Sequence, residues 1–186
     1  TESNIKVTIF QGLPKADKME YIIQKAVELG TYDITPVEMK RCVVKLDEKD
    51  KKKKIDRWQK ISEVASKQSG RNIIPKINNV INIKELCENI KNYDIVLVAY
   101  ENEKNNTLKQ QLQKFKENIK SKLNKNEVKI GIVIGPEGGL ELQDVEFLEK
   151  SGANIITLGN RILRTETVAL NILSIIMYEL ENKEEA

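Results

Sequence analysis

Three short apolar runs constrain this chain most: YDIVLVAY (93–100), VKIGIVIG (128–135) and ANIITLG (153–159). Each is too short for a buried helix and too continuous for a strand with one wet face. A strand buried on both faces of a parallel sheet has this character. Helical patterns separate them. Thr107 opens one that runs to about Leu123, and LQDVEFLEKSG (142–152) is a second with a glycine stop.

The first half of the chain reads the same way. IKVTIF (5–10) alternates and is β-branched, as a strand should be. Asp17 is placed to cap a helix that runs to Leu29, with Met19, Ile22, Ile23, Ala26, Val27 and Leu29 on its apolar face. Residues 32–39 and 41–46 are short strand candidates. A long helix over 50–69 puts Ile55, Trp58, Ile61, Val64 and Ala65 on one apolar face, and Gly70 closes it. Extended structure follows at 74–80 and a short helix at 83–90. The last helix, 166–181, carries Val168, Ala169, Leu170, Ile172, Leu173, Ile175, Ile176 and Met177. So much apolar surface is expected to pack on the sheet and on a second subunit. Regular strand–helix alternation defines an α/β fold, with a mainly parallel sheet and flanking helices, in one domain over 1–186.

Composition narrows the chemistry. The chain has 186 residues and no histidine. That excludes Ser-His-Asp catalysis, imidazole acid–base chemistry and histidine-ligated zinc. Cys42 and Cys87 stand far apart and in no metal-binding spacing, so free, buried thiols in a reducing cytoplasm are expected and no metal is. A net charge of +3 permits nucleic-acid binding without demanding it. No apolar run approaches the roughly 20 residues of a membrane span.

In a parallel sheet, ligands bind at the carboxyl ends of the strands. Three loops fall there: 99–107, 134–141 and 158–167. The middle one, IGPEGGLE, is neither a phosphate-binding P-loop nor a GxGxxG fingerprint. Its glycines allow a tight turn and close approach of backbone to a ligand. Glu137 would repel phosphate. The ligand is therefore read as a nucleoside without phosphates, carrying hydroxyl or ammonium groups. Glu137 either bonds those groups or meets a helix end or a nearby cation. In LGNRILRTETVAL (158–170), Thr165 suits an N-cap and Glu166 the positive end of a helix dipole. Arg161 and Arg164, beside a ligand loop, suit phosphate or base recognition. Gln68, Ser69 and Arg71 surround a helix end and could contact an RNA backbone. A plain helix terminus with a surface arginine fits them as well. Lys51 to Lys54 read as a solvated helix face.

Taken together, KMEYIIQKAVELG (18–30), ITPVEMKRCVVK (34–45), RWQKISEVASKQSGRNIIPKI (57–77), IGPEGGL (134–140) and LGNRILRTETVAL (158–170) resemble the RsmE family of ribosomal RNA methyltransferases, in the SPOUT superfamily. Val168 departs from the family's usual alanine. The resemblance implies S-adenosylmethionine-dependent methylation of uridine N3 in 16S ribosomal RNA of the small subunit. It also implies a C-terminal trefoil knot that holds the cofactor, and a homodimer that completes the site. Family members usually carry an N-terminal PUA-like RNA-binding domain, which is expected to be missing here. Carried over to this sequence, the cofactor residues are Tyr100, Gly135, Glu137, Gly138, Gly139, Leu158, Gly159, Ile162, Leu163 and Thr167. The RNA-facing residues are Gln68, Arg71, Arg161 and Arg164, and the catalytic pair is Arg164 and Glu166. The alternatives are a SPOUT enzyme of other specificity and a non-catalytic RNA-binding assembly protein.

Overall fold

The computed structural model describes residues 2–119 and 127–181. All strand pairings in its seven-stranded sheet are parallel. The strands are β1 (Ile5–Gly12), β2 (Asp33–Glu38), β3 (Lys76–Ile77), β4 (Ile81–Asn82), β5 (Ile95–Ala99), β6 (Val128–Ile134) and β7 (Asn154–Ile156). The helices are α1 (Lys18–Glu28), α2 (Glu48–Gln68), α3 (Ile83–Asn89), α4 (Leu108–Asn118), α5 (Leu142–Lys150) and α6 (Thr165–Glu181).

Spatial order is β3-β2-β1-β6-β5-β7, with β4 also on β2. From β1 the chain steps outward to β2. It later enters at β5, turns inward to β6, and passes beyond β5 to reach β7. β1 and β6 form the longest pairing, from Ile5 opposite Val128 to Gln11 opposite Ile134. The order of progression reverses along this central seam, and crevices for ligands open at the carboxyl ends of such seams.

Burial explains why the three apolar runs are strands. Successive strand residues point to opposite faces, so uninterrupted burial means both faces are covered. Val96, Leu97 and Val98 in β5, and Ile130, Ile132 and Val133 in β6, are essentially inaccessible. Gly131 lets β6 lie flat between neighbours: a Cβ there would come within 3.0 Å of Val96 and 3.1 Å of the Phe10 ring. α6 packs on β1 and β6 and touches α1 and α4, while α1 also packs on α2. α3 and α5 meet one another.

Several expectations change. The RCVVKL segment forms no strand. Cys42 N–H turns back to the Met39 carbonyl at 3.0 Å, and Val43 is exposed. The stretch over 74–80 contributes only the two-residue β3, with β4 just beyond it. α4 ends at Asn118, and the part of the expected helix beyond Ile119 lies outside the described residues. Cys42 is buried but Cys87 is only half-buried, and both are free. Asp17 holds the N-cap position of α1 without a capping side-chain bond. Trp58 and Ala65 lie in the core as expected, whereas Leu29 and Val64, expected on the apolar faces of α1 and α2, are exposed because they sit past the edge of the stripe that meets the sheet and the facing helix. Among the described residues, no helix is long and apolar enough to cross a membrane, and no cluster of His, Cys, Asp and Glu is fit for a metal.

Candidate active site

The loops after β5, β6 and β7 are stitched together by backbone. Tyr100 N–H donates to the Ile156 carbonyl at 3.0 Å, and Thr157 N–H to the Asn106 carbonyl at 2.8 Å. Asn106 Nδ2 reaches the Ile155 carbonyl at 2.6 Å. The ends of β5 and β7 are thereby fixed relative to one another.

The loop after β6 is a tight turn, closed by Gly139 N–H donating to the Pro136 carbonyl at 2.9 Å. Gly139 has φ +70°, which disfavours any other residue. A Cβ on Gly135 would fall 2.9 Å from the Gly139 carbonyl carbon and 3.0 Å from Leu140 N. Both are backbone atoms of the same turn, so the turn closes only with glycine at 135. A Cβ on Gly139 would meet Glu101 Oε1 at 2.7 Å. This places an exposed carboxylate from the β5 loop against the glycine loop. Gly138 has room by comparison, its virtual Cβ lying 3.3 Å from Arg41 Cβ.

A buried relay ties this loop to α6. The Thr165 hydroxyl donates to the Gly135 carbonyl at 2.7 Å and accepts from Gln11 Nε2 at 2.9 Å. Gln11 is completely buried at the end of β1 and also donates to the Gly12 carbonyl. Thr165 is the first helical residue rather than the cap, and its hydroxyl is used across the sheet instead. The start of α6 is thus held against the glycine turn, and Arg164 and Glu166 flank the anchor.

Glu137 turns toward α1. Its Oε1 accepts the Lys15 N–H at 2.9 Å and lies 3.0 Å from Lys18 Nζ. Burial works to raise its pKa, but the Lys15 N–H and the Lys18 ammonium outweigh it and hold the carboxyl below its usual range. Of the two readings left open for Glu137, this geometry is the one with a nearby cation. It latches the loop to the β1–α1 connection. Arg41 adds a second tie, Nη1 to the Gly138 carbonyl at 3.0 Å. Lys40 pairs with Glu141 at 2.7 Å.

Beside the latch opens a cleft of about 690 Å³, lined by Lys18, Tyr21, Arg164, Glu166, Thr167, Leu170 and Asn171. Tyr100 is half-buried, its hydroxyl accepting from Asn102 Nδ2 at 3.1 Å. Leu158 and Leu163 are half-buried, and Gly159 has φ +99° with open space where a Cβ would stand. Ile162 is 90% exposed, and Arg161 is exposed.

Gln68 and Arg71 are elsewhere. Arg71 Nη1 donates to the carbonyls of Thr31 (2.6 Å) and Val27 (3.2 Å), and Nη2 pairs with Glu2 at 2.7 Å. With its side chain only 9% exposed, Arg71 clamps the end of α1 and has little guanidinium left for RNA. Gln68 is exposed at the end of α2. Sequence reasoning did not single out Gln11, Lys18, Arg41 or Glu101. The signals for Lys18 were its place at the head of a helix shortly after β1 and at the start of the family-like segment 18–30.

Fold and site together define a parallel α/β domain with a glycine turn held against a helix start, beside a polar cleft, at the carboxyl ends of its central strands. Comparison narrows that class. The model of the RNA methyltransferase domain matches residues 1–177. The ribosomal RNA small subunit methyltransferase E of Bacillus subtilis is 43% identical over 180 residues, covering 97% of this chain and 68% of that one. Its namesake in Mesomycoplasma hyopneumoniae is 40% identical over 173 residues, covering 93% and 70%. Among solved structures, a ribosomal RNA small subunit methyltransferase E from Neisseria gonorrhoeae, bound to S-adenosyl methionine, superposes with a TM-score of 0.79. It is 30% identical and covers 96% of this chain and 68% of that one. A putative methyltransferase from Legionella pneumophila with bound cofactor SAM gives 0.83 at 29% identity, covering 95% and 67%. The chain belongs to the RNA methyltransferase domain family, in its ribosomal RNA small subunit methyltransferase E group.

Proposed function

We propose that this chain methylates N3 of a uridine in 16S ribosomal RNA of the small subunit, with S-adenosylmethionine as donor. One observation carries the reading: a turn that closes only with glycine at 135 is anchored by Thr165 to the helix start bearing Arg164 and Glu166. The crevice suits the donor's chemistry. Glycine backbone can approach adenine and ribose closely, and no phosphate is present for a carboxylate to repel. The Glu101 carboxylate against Gly139 suits hydroxyl or ammonium groups. Tyr100, Gly135, Gly138, Gly139, Leu158, Gly159, Ile162, Leu163 and Thr167 complete the candidate cofactor set. Glu137 supports it indirectly as the latch to Lys15 and Lys18.

When bound, S-adenosylmethionine supplies a methyl group activated by a sulfonium. The protein's task is to hold acceptor and donor in line and to keep water out. Uridine N3 must lose its proton, which leaves negative charge on the uracil carbonyl oxygens. Arg164, exposed and lining the cleft, is the candidate to stabilise that charge. Glu166 in the same cleft is the candidate to take the proton. A base inside a duplex hides N3, so the substrate base is unpaired or splayed. Arg161 and Gln68, both exposed, are candidate RNA contacts.

The reading includes cytoplasmic location, a homodimer and the knotted threading of the family. The chain passes beyond β5 to make β7 and then returns to β6 through Thr165, a path that accords with a knot. Much of the apolar surface of α6 is used within the chain, since Ile172, Leu173 and Ile176 are fully buried. Half-buried Leu170 on α6 and exposed Tyr21 on α1 remain for a second subunit. The test is methyl transfer to small subunits lacking the modification. Incorporation by wild type, and its loss in Arg164→Ala with cofactor still bound, is the expected result. Arg164→Ala with normal turnover sinks the catalytic assignment.

A further inference from the structure

Lys18 is the first residue of α1, and its ammonium stands between a carboxylate of the glycine turn and one in the first turn of α6. Glu137 Oε1 is 3.0 Å away and Glu166 Oε2 is 3.9 Å away. All three side chains are partly shielded, at 34%, 24% and 18% exposure for Lys18, Glu137 and Glu166. Glu166 Oε2 is buried and makes no hydrogen bond among the described residues. Glu137 belongs to the glycine turn, and Glu166 follows the anchor Thr165. One cation therefore faces both halves of the site.

We propose that Lys18 is a positioning residue for methyl transfer: it holds the glycine turn through Glu137 and keeps the Glu166 carboxylate apart from Arg164. The inference rests on the function proposed above. Its logic is electrostatic. Without Lys18, Glu166 would keep an orphaned carboxylate oxygen beside a second carboxylate. Arg164 is the only other cation among the residues lining that cleft. A guanidinium within reach of a carboxylate is its natural bidentate partner. Arg164 would then be engaged with Glu166 instead of the uracil oxygens. At the same time the glycine turn would lose one of its ties to α1. Both effects misplace reacting groups without removing any of them, and small misplacements cost rate steeply.

The variants are Lys18→Met, Lys18→Arg, Glu137→Gln and the Lys18→Met/Glu137→Gln double. Turnover and KM on unmodified small subunits are measured for each, with S-adenosylhomocysteine affinity by calorimetry and foldedness by circular dichroism. Lys18→Met is expected to lose roughly 10- to 100-fold in kcat. Cofactor affinity is expected to weaken about threefold and KM for RNA to stay within about twofold. Lys18→Arg, which keeps the charge, should recover most of the rate and keeps the test valid if the Met variant does not fold. The double variant should bind cofactor no worse than the weaker single, because both remove the same tie. A folded Lys18→Met enzyme with wild-type kcat overturns the proposal. So does a loss confined to KM for RNA, which would mark Lys18 as a phosphate contact. If wild type binds S-adenosylhomocysteine but methylates no uridine, while Lys18→Met weakens that binding, the substrate reading fails and the loop-positioning role stands.

Discussion

A single methyl group added at Gly135 tests the site more sharply than deleting any side chain. The Cβ of Gly135→Ala would lie 2.9 Å from the Gly139 carbonyl carbon and 3.0 Å from Leu140 N. Carbon contacts settle near 3.5–4.0 Å, so the turn must open by roughly half an ångström or more. Neither neighbour is a flexible side-chain end that could swing aside. Overpacking of this kind costs about 1–3 kcal/mol. The strain falls on the turn itself, which also holds the carbonyl that Thr165 grips. If cofactor binding requires the closed turn, the same energy appears as roughly 5- to 150-fold weaker binding. Gly138→Ala is the comparison for strain in the turn. Its Cβ meets Arg41 Cβ at 3.3 Å and the Arg41 carbonyl at 3.4 Å, neither of them in the turn, and its φ is not in the left-handed region, so it is expected to destabilise the fold less than Gly135→Ala does. Calorimetric titration with S-adenosylhomocysteine reads cofactor binding, and thermal unfolding reads the strain. Gly135→Ala binding within twofold of wild type would refute the reasoning, as would equal losses of stability in the two variants.

Arg164→Ala should lower kcat by about 10²–10³-fold, as loss of a transition-state donor does, with S-adenosylhomocysteine affinity preserved. Arg71→Ala should cost about 1.5–3 kcal/mol in denaturant unfolding, because it strips partners from the Thr31 and Val27 carbonyls and from Glu2. The salt dependence of RNA binding should stay unchanged in that variant. Glu2 carries a pH signature. The Arg71 hydrogen bond, against the opposing effect of burial, holds its carboxyl below the usual 4.5. A depressed folded-state pKa gives stability that is present above the unfolded value and lost as pH falls through the folded one. Unfolding midpoints should therefore drop below about pH 4.5 in wild type, and by less in Glu2→Gln.

The strands were legible where burial was symmetrical. β5 and β6 are covered on both faces, and their sequences are apolar without alternation. RCVVKL misled because β-branched residues favour strands only where a partner strand exists. Cys42 instead folds back onto Met39, and Val43 faces solvent. Strand order was not readable from the sequence, since the longest pairing joins β1 to β6 across most of the chain. The glycine turn and the LRTET loop could be found because their residue types demand unusual backbone or carry charge. Gln11, Lys18 and Glu101 could not. Their meaning arises only when β1, α1 and the β5 loop are brought against residues far along the chain. Arg71 was ambiguous for the opposite reason: an arginine near a helix end looks the same in sequence whether it clamps carbonyls or meets RNA.

The most direct test is mass spectrometry of nucleosides from unmodified small subunits, incubated with the protein and S-adenosylmethionine whose methyl group carries an isotopic label. The account predicts labelled 3-methyluridine in 16S RNA, abolished in Arg164→Ala. Label on a ribose, on another base, or nowhere, from folded protein that binds the cofactor, would contradict it.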